Sequence, residues 1–392
     1  MKKTSQQKVA VAMSGGVDSG VAAALLVKQG YEVGGFHMHL WSETQNSENK
    51  CCDVKGLKAA KKTAWKLGIP FYVVNFARIF KKKVVDYFLE EYGAGRTPNP
   101  CVMCNKYIKF GELLEYVRSL GFDYLATGHY ARVCERTQNS KLKTYHLLQA
   151  VDKSKDQSYF LYNLTQRQLA HILFPVGGYT KAQVRKMAKK LGLAVAERPE
   201  SQEICFLPES DYRPFLCRQI PQKIIPGEVV DTSGRVIGRH FGLPLYTIGQ
   251  RHGFEIASKT PRMVSEGLLR GGGNVIPPYY VIAKDTKKNR LIVGFGKEAE
   301  KREFEVDQVN LVDQWTSEPV DQLGGIRVRI RHQGELLNCQ IDKLSNYQIK
   351  VTLEEPEKGI APGQAAVFYR PIANCGVRIA DFEVLGGGII TN

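Results

Sequence analysis

The sequence predicts an α/β protein: a parallel sheet wrapped by helices, then a small central domain and a C-terminal β-barrel. Three observations carry this prediction. Short apolar runs alternate with amphipathic stretches through the N-terminal third, the pattern of strands joined by crossover helices into a parallel sheet. A two-glycine loop, "SGGVDS", lies where the first strand would meet its helix. After about residue 224 helical periodicity fades, and short alternating runs continue to the end.

Residues 8–13, "KVAVAM", form the first short buried strand, and the helical run "VAAALLVKQG" closes at Gly30. A second strand fits "YEVGGFHMHL", and a helix spans about Asp53–Leu67 before Gly68. "FYVVNF" (71–76) is a third strand, followed by a helix over about Arg78–Glu91. "RTPNPCVMC" (96–104) reads as a loop, because two prolines and an asparagine break both regular patterns. A helix near Phe110–Leu120 and a fourth strand, "DYLATGHYARV" (123–133), complete the alternation. Residues 155–192 are helical in pattern, and "ESQEICFL" (200–207) reads as extended. "YYVIAKDTKKNRLIVG" (279–294) gives two strands around a polar turn, and "RGGGN" and "VIPPY" before it punctuate a linker. These signals divide the chain into 1–205, 206–278 (with the helices of 166–192 as candidates for inclusion) and 279–392. In a parallel sheet, ligands bind beyond the carboxyl ends of the strands. There "SGGVDS", "GFHMH", the cysteine segment and "TGHY" would converge.

The 392-residue chain is 43% hydrophobic and 24% charged, ordinary for a globular protein. No apolar run approaches the roughly 20 residues of a membrane span. The N-terminus lacks a signal-peptide core, so the expected location is the cytoplasm, with no membrane partner. Lys and Arg outnumber Asp and Glu by 55 to 39, a net charge of +16. The excess is spread through "KAAKKTAWK", "KKKVVDY", "KAQVRKMAKK" and "RVRIRH". That spread points to a folded basic face toward a polyanion, nucleic acid first. Nine cysteines, irregularly spaced, argue against a disulfide framework.

In "SGGVDS", Gly15 and Gly16 can take positive φ and turn backbone N–H groups toward a phosphate. The following helix start adds partial positive charge, and Ser14 and Ser19 add hydroxyl donors. Asp18 beside phosphates implies a helix cap or a bound Mg²⁺. The pattern is not Walker A, since no G-K-[ST] follows, and not G-x-G-x-x-G. It is similar to the pyrophosphate-binding loop of the ATP pyrophosphatase group. That similarity implies ATP cleaved between its α and β phosphates and an adenylylated intermediate.

Local sequence leaves Cys101 and Cys104 open to three readings. They are half of a zinc site, although no second C-x-x-C exists, or a buried structural pair, or thiols near Lys106 and Lys109 that act as nucleophiles. Cys205, in "EICFL", is either a strand-core cysteine or a third reactive thiol. His37 and His39 alternate at a strand end and read as loop-facing polar residues. Cys51, Cys52, Cys134, Cys217, Cys339 and Cys375 read as structural.

Taken together, "AMSGGVDSG", "GFHMHLW", "GRTPNPCVMCNKYIKF", "ATGHYAR", "KDQSYFLYNL", "ESQEICFLPE", "YTIGQRHGF" and "GQAAVFY" resemble the tRNA-specific 2-thiouridylases, over residues about 9 to 370. The resemblance implies an N-terminal nucleotide-binding domain of ATP pyrophosphatase type. It implies an ATP-dependent sulfurtransferase that replaces the C2 oxygen of the wobble uridine of tRNA with sulfur. By the resemblance Cys104 is the nucleophile and Cys205 the persulfide carrier. Ala12, Met13, Ser14, Gly15, Gly16, Val17, Asp18, Ser19, Met38 and Gly128 would contact ATP, which Mg²⁺ accompanies. Asn99, Pro100 and Cys101 would face the target base. His129, Lys155, Asp156, Gln157 and Gln364, with Arg331 and His332, would contact the rest of the tRNA. A sulfur-donor protein is the second implied partner.

The implied chemistry is coherent. AMP on the C2 oxygen makes it a leaving group, pyrophosphate departs into the glycine loop, and sulfur attacks C2. A persulfide on Cys205 delivers the sulfur and Cys104 releases it, leaving a transient Cys104–Cys205 disulfide. The base must be turned out of its stack, and a basic surface would hold the phosphates. Two departures stand out: Gly20 where the family usually carries Ser, and Cys101 where many members carry Asp. Cys101, Cys104 and Cys205 have the count to bind three irons of a [4Fe–4S] cluster, a second route on the same residues. Two rival activities would use the same glycine loop: a small-molecule amidotransferase, for which no glutaminase module is apparent, and a 4-thiouridine synthase. The intact glycine loop argues against a non-enzymatic RNA-binding protein. Residues 265–274, "SEGLLRGGGN", read as a flexible loop.

Overall fold

The computed structural model describes residues 7–43, 54–138, 142–193, 195–196, 204–257, 278–312, 325–345, 347–372 and 382–392. Cys51, Cys52, Cys375, residues 200–203, the segment 265–274 and most of the "VIPPY" linker lie outside the described residues.

The chain begins with β1 (Lys8–Ala12), α1 (Val17–Lys28), β2 (Glu32–His39), α2 (Val54–Leu67), β3 (Phe71–Asn75) and β4 (Tyr124–Ala126). A hairpin of β5 (Ala131–Gln138) and β6 (Leu142–Gln149) precedes β7 (Ile172–Leu173). The first sheet has the order β3-β2-β1-β4-β7 and is parallel throughout. β1 is covered on both faces, which is why its centre is a continuous apolar run. Val9 and Val11 pack with Ala23 and Leu26 of α1 and Ala60 and Ala64 of α2. Ala10, pointing to the other face, packs with Val102, Phe110 and Leu113. Strand order reverses around β1, with β2 on one side and β4 on the other. That reversal opens a crevice at their carboxyl ends.

Four local expectations change. The cysteine segment is helical, not a loop: Pro100–Met103 starts a helix that continues as a wider i→i+5 turn over Cys104–Leu113 and closes with Leu114–Ser119. Proline breaks a helix interior, but at the first helical position its missing N–H costs nothing and its fixed φ is suitable. The stretch 123–133 is two strands, not one. β4 ends at Ala126, the chain turns at Thr127–Tyr130, and β5 leaves for another sheet. Residues 155–192 carry only short helical turns until Lys181–Lys190. Of 200–207, the described part is a turn, in which Leu207 N–H donates to Ile204 O at 3.2 Å.

The middle sheet contains β8 (Gly227–Val230), β9 (Val236–His240), β10 (Glu255–Ile256), β11 (Tyr280–Asp285) and β12 (Arg290–Gly294). The expected hairpin at 279–294 therefore forms, and β12 pairs in parallel with β8, not with the strands that follow. Those are β13 (Glu300–Leu311), β14 (Arg327–Arg329), β15 (Leu337–Lys343), β16 (Ile349–Lys358), β17 (Ala365–Pro371) and β18 (Phe382–Ile390). They run antiparallel in the order β13-β16-β15-β14-β17-β18, and β13 also pairs with β18, closing a six-stranded barrel. The β5–β6 hairpin extends this barrel sheet at β18. The buried pair His146–Glu383 (3.1 Å) and the Arg370–Glu383 contact fasten the junction.

Candidate active site

The residues after β1, β2 and β4 meet the cysteine helix and the Cys205 turn around one cavity of about 330 Å³. Ala12, Met13, Ser14, Gly16, Val17, Asp18 and Ser19 form its floor, and Met38 and Gly128 lie on its sides. Pro100, Cys101, Cys104 and Cys205 line it as well. So do His129, Lys155 and Gln157.

The floor is shaped by the glycines. Gly16 caps α1 through its backbone, and Ser19 Oγ donates back to Gly16 O at 3.1 Å. Gly15 has φ of +79°, and a Cβ there would sit 2.2 Å from Gly56 O of α2. It braces the loop from below and does not line the cavity. A Cβ on Gly128 would come within 2.6 Å of Ser19 N, so only glycine lets the β4 exit pack on the first turn of α1. Asp18 does not cap the helix, as no side-chain cap bond is made there. It accepts from Lys181 Nζ at 2.8 Å on both oxygens and from Tyr130 O–H at 2.9 Å.

The sides are more buried than the sequence suggests. His37 is 3% exposed, its Nδ1–H donating to Met13 O at 2.8 Å, so it faces inward and not into a loop. His129 lies between Lys109 and Thr127. An ammonium can only donate, so Nε2 accepts from Lys109 at 3.3 Å, and Nδ1–H donates to Thr127 Oγ1 at 2.6 Å. Burial, then the Lys109 charge, hold its imidazole well below the usual histidine range, so it is neutral. Lys106 lies over the Tyr107 ring at 5.3 Å, while Lys109 lines the cavity with the cysteines. Cys104 is 8% exposed and shares an apolar cluster with Phe80, Val84 and Phe206; Cys205 packs against the same cluster. Cys101 sits in the first turn of its helix, where the dipole presents positive charge, and Cys104 lies one turn further on, its N–H already bonded to Pro100 O and Cys101 O.

Gln157 accepts from Tyr130 N–H at 3.0 Å and its own N–H donates to Tyr130 O at 2.8 Å, which pins the 155–157 loop to the β4 exit. Asp156, between the two cavity-lining residues, is turned away from them. It is 3% exposed, accepts from Ala150 N–H, Ser158 N–H and Ser158 O–H, and pairs with Arg329 of the barrel at 3.1 Å. Its carboxylate is thus engaged inside the protein, holding the 155–157 loop to the barrel. Asn99 is the cap residue just before the cysteine helix. Gln364 lies beside this segment: its Nε2 donates to Thr97 O at 3.1 Å. Arg331 is on the barrel rim with Glu357 (3.0 Å) and Lys358 O (2.8 Å). His332 packs against Phe160 in a tilted arrangement, with ring centres 4.3 Å apart and planes at 40°. Neither Arg331 nor His332 lines the cavity.

Family models cover the chain in three blocks. One described as a tRNA methyl transferase HUP domain matches residues 7–209, one described as a tRNA methyl transferase PRC-barrel domain matches 213–295, and one described as an aminomethyltransferase beta-barrel domain matches 301–390. A tRNA-specific 2-thiouridylase MnmA of Carboxydothermus hydrogenoformans is 44% identical, over 98% of this chain and 98% of its own length. Another, of Chloroflexus aurantiacus, is 44% identical over 97% and 98%. The chain belongs to the tRNA-specific 2-thiouridylase family. A 4-thiouridine synthetase–RNA complex with bound ATP is similar only at a TM-score of 0.35 and 16% identity, covering 55% of this chain and 51% of that one. So loose a likeness carries no argument.

In this 2-thiouridylase-family chain, sequence reasoning missed Lys181, Tyr130 and His37. Lys181 is 163 residues from Asp18, and nothing in its own helix marks it. His37 lies in a β2 stretch buried continuously from Val33 to His37, so its position inside a central strand, and not alternation, is the signal that could have found it. Among the described residues no three His, Cys, Asp or Glu side chains are grouped to hold a metal ion. Cys101, Cys104 and Cys205 line the same cavity but do not form such a group around a single ion. No helix of the described residues is long and apolar enough to cross a membrane.

Proposed function

We propose that this protein is an ATP-dependent tRNA-uridine 2-sulfurtransferase acting on the wobble uridine, with Cys205 as persulfide carrier and Cys104 as the attacking thiol. One observation carries the reading: a single cavity is lined both by the glycine loop and by Cys101, Cys104 and Cys205. A phosphate site and sulfur chemistry in one chamber suit a reaction that activates an oxygen with nucleotide and replaces it with sulfur.

The residues divide the work. Backbone N–H groups after Gly15 and the α1 N-terminus receive the phosphates. The uracil O2 attacks the α-phosphorus, and the bond to the bridging oxygen breaks, leaving an adenylylated base and pyrophosphate. Cys104 thiolate then attacks the inner sulfur of the Cys205 persulfide. The outer sulfur leaves as hydrosulfide, attacks C2 and expels AMP. The products are the thiolated base, AMP and a Cys104–Cys205 disulfide, which a dithiol must reduce before the next turnover. Phe80, Val84 and Phe206 line the sulfur side and keep water from competing for the activated carbon.

Mg²⁺ belongs with the nucleotide. Asp18 is the acidic side chain on the cavity wall among the described residues, and both its oxygens accept from Lys181. A Mg²⁺ arriving with the nucleotide would meet the Ser14 and Ser19 hydroxyls on this wall, where it would neutralise phosphate charge. The basic surface, a cytoplasmic location and a sulfur-donating protein partner complete the reading. Asn99, Pro100 and Cys101 face the base, and Lys155, Gln157, Gln364, Arg331 and His332 lie along its path to the barrel.

The test is nucleoside analysis of unmodified tRNA after incubation with ATP and a persulfide donor. The wild type should produce 2-thiouridine at the wobble position, and Cys104→Ser and Cys205→Ser should produce none. Thiolation surviving in either variant rejects the assignment. An anaerobic spectrum of the active enzyme should lack the iron–sulfur absorption near roughly 400 nm.

A further inference from the structure

Lys181 lies on the cavity wall and has no part in the steps above. It opens the helix Lys181–Lys190, whose start is fixed by a reciprocal cap. Gln183 N–H donates to Thr180 Oγ1, and Thr180 N–H donates to Gln183 Oε1. The backbone N–H of Lys181 donates to Asp152 at 2.9 Å, so the helix start is anchored at two points. The ammonium sits 2.8 Å from each oxygen of Asp18 and 5.6 Å from the centre of the Tyr130 ring. Only 10% of its side-chain surface is exposed.

Asp18 is the second residue of α1, directly after the glycine loop. A bare carboxylate there would repel the phosphates that the loop and helix N-terminus attract. Paired with Lys181, it instead holds an ammonium beside them. A long, flexible side chain is converted into a positioned donor, and the entropy of ordering it is lost on folding and not on binding. The Tyr130 hydroxyl donates to the same carboxylate at 2.9 Å and holds it in place.

We propose that Lys181 is a catalytic residue of the reaction proposed above, meeting the β-phosphate of ATP and the departing pyrophosphate. The inference rests on that reading of the cavity. As the bond between the α-phosphorus and the bridging oxygen breaks, the electron pair leaves with pyrophosphate. The Lys181 ammonium shares its donors between Asp18 and the growing charge, and no proton is transferred. Asp18 and Tyr130 are positioning residues that act through Lys181. Stabilising charge where it develops is the larger part of phosphoryl-type catalysis.

Nucleotide affinity separates this role from a structural one. In Lys181→Gln, calorimetric affinity for a non-hydrolysable ATP analogue and for pyrophosphate should fall roughly tenfold or more, as expected for loss of a charge-assisted bond. Affinity for AMP should hold within about twofold, since AMP has no β-phosphate. Equal losses for AMP and the analogue, or no loss for either, overturn the inference. Lysine acylation footprinting of the wild type gives the same answer without a variant. Pyrophosphate and the analogue should shield Lys181 and AMP should not; equal shielding by all three, or none, counts against it. Both measurements are read without tRNA. A wild type that binds nucleotide with this split but releases no pyrophosphate with tRNA would instead sink the functional reading and leave the Lys181–phosphate contact standing.

Discussion

Asp18 and Asp156 sit at the same end of the parallel sheet, and each is held by a cation from a distant part of the chain. Their surroundings make them different devices. The Asp18–Lys181 pair keeps 29% and 10% of its side-chain exposure and lines the cavity. The Asp156–Arg329 pair keeps 1% and 12%, and Asp156 takes three further hydrogen bonds from Ala150 and Ser158. The first pair leaves a charge facing a space where a ligand can compete for it. The second is saturated, and it ties the 155–157 loop to β14 of the barrel, where Arg329 also lies over Tyr369 at 5.3 Å. An acid–base pair beside a pocket is therefore a ligand contact or a strut according to how many of its lone pairs are already used.

The largest expected effect breaks the strut. Arg329→Met leaves a buried carboxylate without its cation and should lower stability by about 3–5 kcal/mol in a denaturant titration. Lys181→Gln, at the wetter site, should cost about 1 kcal/mol. Equal losses would erase the distinction between the two pairs. A second contrast uses glycines. Gly128→Ala drives a Cβ to 2.6 Å from Ser19 N, whereas Gly178 has nothing within 4 Å of its would-be Cβ. Gly128→Ala should weaken ATP-analogue binding roughly tenfold by displacing the first turn of α1, and Gly178→Ala should leave it alone. Both are read by calorimetry.

A smaller effect is pH dependence. Burial, then the Lys109 charge, lower the His129 pKa; burial also lowers those of His240 and His332. Unfolded, each histidine takes up a proton near pH ~6.5; folded, each resists it. Below that pH the unfolded state binds more protons, so stability should fall as pH drops from ~6.5 and stay flat above it. Melts across this range check the sign, and His129→Gln should flatten part of the slope. The smallest effect expected is at the rim. Arg290→Ala removes an exposed pair with Glu228 (2.8 Å) and should shift the melt by no more than about 1 °C.

The architecture was legible where periodicity and punctuation agree. β1, β2, β3 and α1 follow their apolar runs, and the 279–294 hairpin follows its polar turn. The glycine loop and cysteines could be found because their local sequence is chemically unusual. What stayed hidden was long-range. Nothing in "ATGHYARV" says that its two ends join different sheets; that is decided by β18, whose Glu383 and Val384 pair with Leu148 and Leu147. "TPNP" looks like a breaker until Pro100 is seen at a first helical position. Asp156 reads as one more polar loop residue until Arg329 is placed beside it. Lys181 is one lysine in a helix rich in them, and only folding selects it.

The central claim is that nucleotide activation and sulfur delivery are separate tasks of one cavity, the first on the glycine loop and the second on Cys104 and Cys205. The direct measurement is pyrophosphate release by Cys205→Ser with ATP and unmodified tRNA, followed in parallel with 2-thiouridine formation. The account predicts tRNA-dependent pyrophosphate release with no thiolated product. Release that ignores tRNA, or thiolation that proceeds without the Cys205 sulfur, would contradict it.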